Sequence, residues 1–137
     1  MLPKSPRKNG RALIVEGGGM RGSFAGGVLA AMSHCYPVHN FDLVVGVSAG
    51  SCAAAYYVTE DPGDLYSALR TLRIWRFELS GSRLINYVNG FLGRHILNQE
   101  YLVDYLFGLK YRLRREKLED PDAVPFYVVL SNLPTLH

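Results

Sequence analysis

The stretch Phe41-Asp42-Leu43-Val44-Val45-Gly46-Val47-Ser48-Ala49-Gly50 decides how this chain is read. Its first five residues form a short apolar run of the kind that makes a buried parallel strand. Gly46-Val47-Ser48-Ala49-Gly50 then spells GxSxG, and the Ala-rich segment from Ser51 to Val58 suits a helix packed closely on a sheet. A serine on so tight a strand-to-helix turn projects its hydroxyl beyond the sheet edge, and flanking glycines permit the close backbone approach that the turn demands. The helix behind it aims its amino-terminal amides and positive dipole end at any oxyanion formed there.

Toward the amino terminus, Ala12-Leu13-Ile14-Val15-Glu16 is a second apolar run, ending in Gly17-Gly18-Gly19-Met20-Arg21-Gly22. Gly22 to His34 places Phe24, Ala25, Val28, Leu29 and Met32 at helical spacing. Strand, helix, strand, helix predicts a parallel βαβα unit with a right-handed crossover. Both glycine-rich loops then lie at one edge of the sheet, beyond the carboxyl ends of adjacent strands, where open α/β sheets bind ligands. Only 24 positions separate Gly22 from Gly46, enough for one helical crossover, so the loop and Ser48 are expected to be neighbours. Three consecutive glycines suit the presentation of several N–H groups to a developing negative charge. The same residues also satisfy GxGxxG, and a dinucleotide-binding module is the rival reading. That rival needs an acid at the end of the second strand, whereas Asp42 stands at the strand's beginning.

Toward the carboxyl terminus the pattern is looser. Asp61-Pro62-Gly63-Asp64 reads as a turn with Asp64 as N-cap of a helix bearing Leu65, Leu69, Leu72 and Trp75 or Arg76. Gly81 to Gly93 reads as an irregular segment, in which Leu84-Ile85 and Phe91-Leu92 suit either a lid or the core. Asn98 is placed to cap a helix carrying Tyr101, Leu102, Tyr105 and Leu106, and Phe126-Tyr127-Val128-Val129-Leu130 predicts a third strand.

Composition bounds the rest. The 137 residues, 48% hydrophobic and 20% charged, describe a soluble globular domain and exclude a disordered or repeat chain. The net charge of +3 is local, because Lys4, Arg7, Lys8 and Arg11 outweigh it within residues 1–11, a solvated basic leader preceding a domain over 12–137. A nucleic-acid partner therefore loses most of its support. A second cluster, Lys110, Arg112, Arg114, Arg115 and Lys117, reads as the wet face of a helix end ahead of an anionic-lipid or nucleic-acid patch. Cys35 and Cys52 have neither metal-ligand spacing nor a CxxC and read as buried or free thiols in a reducing compartment. No apolar run approaches the ~20 residues of a membrane span.

GGGMRG followed one crossover later by GVSAG resembles the patatin-like phospholipases, closely over Arg11 to Tyr57 and more loosely through Asn132. The resemblance implies a three-layer α/β/α sandwich with a mainly parallel sheet, of which this chain is the amino-terminal part. It also implies a hydrolase of lipid acyl esters that uses a Ser-Asp dyad and neither metal nor cofactor. Ser48 would be the nucleophile, and the loop Gly17, Gly18, Gly19, Met20, Arg21 and Gly22 would form the oxyanion hole. The amide of Ala49 is an added donor by elbow geometry. A lipid acyl ester is then the substrate, and a cytoplasmic location with peripheral membrane contact is expected.

In that setting His34, His39, His95 and His137 read as surface or loop residues rather than bases, although a Ser-Asp-His order leaves His137 open. Arg21 reads equally as an anchor for the loop or an anionic substrate group and as a surface partner of an acid. The family's base lies in a DGG or DGA motif, and Asp42, Asp61, Asp64, Asp104, Asp120 and Asp122 all lack a following glycine. The general base is therefore unassigned, and a serine without one is a weak nucleophile. Two expectations follow: a fragment of a longer hydrolase, inactive alone and prone to self-association through an incomplete sheet edge, or a catalytically silent lipid-binding or interaction protein.

Overall fold

The computed structural model describes residues 10–60, 91–93, 98 and 100–130. The elements are β1 (Ala12–Val15), α1 (Gly22–Cys35), β2 (Leu43–Val47), α2 (Ala49–Thr59), a helix of π type, α3 (Tyr101–Lys110), and β3 (Phe126–Val129). The expected helix after Asp64, Leu84-Ile85, His95, His137 and most of the leader lie outside the described residues. The three strands form one parallel sheet in the order β1-β2-β3. This is the α/β architecture expected from the alternating apolar runs.

The register explains which side chains make the core. Leu13 pairs with Val44 and Val44 with Phe126, so these three share a face, as do Val15, Gly46 and Val128. Val44, central in the sheet, is fully buried, and Val15 nearly so, against Leu29, Ala53, Ala54, Tyr56 and Leu106. Ala53 and Ala54 carry too little side chain to hold α2 away, which is what an Ala-rich helix contributes at a sheet. The opposite face carries Ile14, Tyr127 and Val129, exposed by 70%, 42% and 51%. The described residues therefore supply the sheet and the helical layer on one side of it.

The strand read at Phe41–Val45 runs from Leu43 to Val47. The shift has a cause at each end. Asp42 is tied across the sheet's lower edge: its carboxylate accepts from the Arg11 N–H at 2.9 Å, and its own N–H donates to the Arg11 carbonyl at 2.8 Å. Phe41 belongs to an aromatic cluster there, edge-on to Tyr36 and Tyr57. At the upper end, Gly46 and Val47 continue the ladder because Val128 and Val129 pair with them.

The third helix begins as read, with Asn98 Oδ1 accepting from the Tyr101 N–H at 3.0 Å. Its winding is wider than an α-helix, and at its end the Tyr111 N–H donates five residues back to the Leu106 carbonyl. Tyr56 holds this turn in place from α2, its hydroxyl donating to the Tyr111 carbonyl. Among the described residues β1 forms an open edge of the sheet. The Val44 N–H donates to Pro125, toward β3, so Leu13 turns its backbone groups to β2, and Ala12 and Ile14 direct theirs outward.

Candidate active site

The elbow is built by three close approaches. Ser48 has φ +50° and ψ −125°, the one positive φ outside glycine among the described residues. Such a backbone costs roughly 1–3 kcal/mol and persists only where its surroundings enforce it. A Cβ on Gly46 would lie 2.4 Å from the Ser51 Cα, and one on Gly50 would lie 2.4 Å from the carbonyl oxygens of both Val15 and Glu16. Only glycine fits either place. The first turn of α2 is thereby drawn down onto the ends of β2 and β1 together.

Serine at the start of a helix ordinarily caps an amide with its side chain. Ser48 makes no such bond. Its carbonyl accepts from both the N–H and the hydroxyl of Ser51, which fixes the turn, while its own side chain is left exposed at the sheet edge. Neither α1 nor α2 has an acidic residue in its first turn, so neither helix neutralises its own positive end at this edge.

The glycine loop meets the serine directly. A Cβ on Gly17 would stand 3.0 Å from Ser48 Cβ and 3.7 Å from its Oγ, which is the proximity the 24-position spacing predicts. Gly19 adopts φ +53° and opens a tight turn over Gly19–Arg21, which includes Met20. The Arg21 N–H donates to the Gly18 carbonyl at 3.0 Å, and the Arg21 side chain folds back along the loop, its Nε 3.9 Å from where a Gly18 Cβ would be. Gly22 is buried as the first residue of α1.

From this loop a cleft of about 570 Å³ runs between the open edge of β1 and α1, lined by Ile14, Glu16, Gly17, Arg21, Phe24 and Val28 among others. That volume falls within the ~300–1,000 Å³ usual for small-molecule sites. Sequence reasoning passed over Glu16 and the α1 wall of this cleft. Their signal was an acid closing an apolar strand immediately before three glycines.

The remaining titratable groups are held elsewhere. His34 and His39 are exposed, the first in the last turn of α1 and the second in the loop entering β2. Asp42 is pinned at the lower edge, so the acid that a dinucleotide ribose needs is not beside the glycine loop. Asp120 accepts from the Asp122 N–H in its own turn, and Asp104 is exposed on α3. Both cysteines are free thiols, and burial pushes the Cys52 thiol up, only partly countered by the Ser51 hydroxyl, so at neutral pH it stays a protonated, poor nucleophile. Burial, then the neighbouring Tyr36 and Cys35, raises the Tyr57 phenol to about 12, and it donates to the Tyr36 carbonyl. Among the described residues no group of three or more His, Cys, Asp or Glu side chains is arranged to hold a metal ion, and no helix is long and apolar enough to cross a membrane.

A parallel α/β sheet with a serine on a strained strand-to-helix elbow, abutted by a glycine loop, defines the class. Residues 13–133 match the family model of the patatin-like phospholipases, and the chain belongs to that family. No curated protein and no solved structure gives a match.

Proposed function

We propose that Ser48 is the nucleophile of a lipid acyl hydrolase and that the Gly17–Gly22 loop, with the Ala49 amide, forms its oxyanion hole. The observation that carries this reading is the positive φ of Ser48 with Gly17 against its side chain. Strain of that kind is retained where the side chain it presents has a task. Ser48 Oγ adds to the ester carbonyl of a lipid, and the carbonyl oxygen takes the negative charge. Because the Arg21 amide is already bonded to Gly18, the other amides of the loop and that of Ala49 are the donors. The tetrahedral intermediate expels the alcohol, which takes up the serine proton, and leaves an acyl-enzyme that water cleaves to the fatty acid. The proton passes through the aspartate of a Ser-Asp dyad, a residue this chain leaves unassigned.

A fluorophosphonate probe tests the assignment. In a protein that also carries the dyad's aspartate, labelling of the wild type and none of Ser48→Ala is expected; equal labelling of both removes Ser48 from the role. A second reading, a catalytically silent lipid-binding protein, is favoured by the absence of any aspartate placed beside Ser48 among the described residues. Negligible turnover of a short-chain ester by this chain alone is expected under both readings, and turnover that depends on Ser48 would show that an acid or histidine already in the chain serves as base. The outward-facing backbone of Ala12 and Ile14 is the edge through which we expect self-association, visible as concentration-dependent sedimentation.

A further inference from the structure

The basic cluster after α3 is not used by this chemistry, and its setting gives it a use of its own. α3 turns Leu106 and Phe107 inward, Leu106 fully buried and Phe107 edge-on to Tyr56, while Leu109, 74% exposed, and Lys110 point outward. The chain then turns back over the helix end, the Leu113 N–H donating to the Phe107 carbonyl at 2.9 Å. Arg112 and Arg115 are brought to the rim of one hollow of about 350 Å³, whose other walls are Phe107, Gly108, Leu113 and Glu116. Both residues are exposed, and neither guanidinium is bonded to a carboxylate among the described residues. Lys110 to Lys117 holds five cationic side chains and Glu116, with Glu119, Asp120 and Asp122 following. Lys110, Arg114 and Lys117 are engaged with neighbours, Lys110 over the Tyr111 ring, which leaves Arg112 and Arg115 as the pair at the hollow. Tyr56 and Phe107 fasten this platform to the core, so its charges are held in place rather than carried on a free tail.

We propose that this platform is a docking site for an anionic membrane surface, with Arg112 and Arg115 taking the phosphate of an anionic phospholipid and Leu109 entering the interface beside it. The site rests on the reading of the chain as a lipid hydrolase, which supplies the reason to be at a bilayer. Two neighbouring guanidiniums match phosphate oxygens by charge and geometry, and each basic residue near an anionic leaflet adds about fivefold to binding. The exposed leucine supplies the apolar part of an interfacial contact. Tyr56 stands eight residues beyond Ser48, about 12 Å along α2, so the turn it holds is set apart from the serine. The platform holds the protein at the surface, and substrate reaches Ser48 from there.

The test is vesicle sedimentation of the full chain carrying Ser48→Ala, which separates binding from turnover. Retention on phosphatidylcholine vesicles containing phosphatidylglycerol, at least tenfold above phosphatidylcholine alone and falling with salt, is expected. Arg112→Glu with Arg115→Glu should remove that excess, Arg112→Lys with Arg115→Lys should keep most of it, and Leu109→Ser should weaken retention at high salt. Equal binding to both vesicle types, or retention unchanged by the double reversal with circular dichroism unaltered, overturns the proposal. Release from the vesicles by inorganic phosphate at matched ionic strength overturns it in favour of a free-phosphate site. Fluorophosphonate labelling of the double-reversal protein with Ser48 intact reports on the nucleophile separately, and loss of docking with labelling preserved leaves the hydrolase reading standing.

Discussion

At the elbow, a Cβ on Gly46 or Gly50 would fall 2.4 Å from backbone atoms of a neighbouring element, whereas on the facing loop a Cβ on Gly19 would meet nothing within 4 Å. Gly19 is there for its φ of +53°, and Gly46 and Gly50 are there for want of room. Gly17 belongs with the elbow in this respect, since its missing side chain is the space beside Ser48. Like residues in two loops thus answer different demands: the elbow is held by backbone packed against backbone, the loop by its own local conformation.

Substitutions should separate these demands. Gly50→Ala pushes a methyl into two carbonyl oxygens that no rotamer can move, and a stability loss of about 3 kcal/mol or more is expected in denaturant unfolding. A loss below about 1 kcal/mol would mean that α2 can ride up from β1, and the contrast between the loops would fail. Gly17→Ala crowds both the Ser48 Cβ at 3.0 Å and the Val47 carbonyl oxygen at 3.1 Å, closer than ordinary contact but short of the collision at Gly50. It should cost less stability than Gly50→Ala while slowing fluorophosphonate labelling by about a hundredfold, because displacement by about 1 Å costs that much in a reacting geometry. Gly19→Ala has space but the wrong φ, and a loss of about 1 kcal/mol is expected, with labelling slowed far less than by Gly17→Ala. Ser48→Gly should change stability with the opposite sign. Relief of the strained φ, set against the entropy of an added glycine, leaves a net gain of roughly 1 kcal/mol in unfolding free energy with labelling abolished. A loss in that variant would show that the serine backbone is not under strain.

What could be read beforehand follows the same division. The strands, both helices and the closeness of Gly17 to Ser48 over residues 12–60 were legible because apolar runs, glycines and crossover length are local properties of the chain. The upper limit of β2 was not, since Gly46 and Val47 are drawn into the sheet by Val128 and Val129, some eighty residues away. The π winding of α3 was equally hidden, its last turn being held by Tyr56 from another helix. Asn98 as a cap was legible, because an Asn side chain acts on the amides just after it. At the site, glycine spacing pointed to the serine and the loop, but the collision that reserves Gly50 for glycine involves β1 and can be seen only once the chain is folded. Glu16 was passed over because its proximity to the cleft depends on the open edge of β1 rather than on any spacing.

The contact of Gly50 with Val15 and Glu16 means that the nucleophile and the loop facing it ride on a single splint. Neither can be retuned alone. A mutation in β1 that lifts the strand end also rotates the serine, and an insertion before Gly17 is felt at Ser48. On heating, this joint should open before the sheet melts, and probe reactivity should vanish some degrees below the loss of secondary structure.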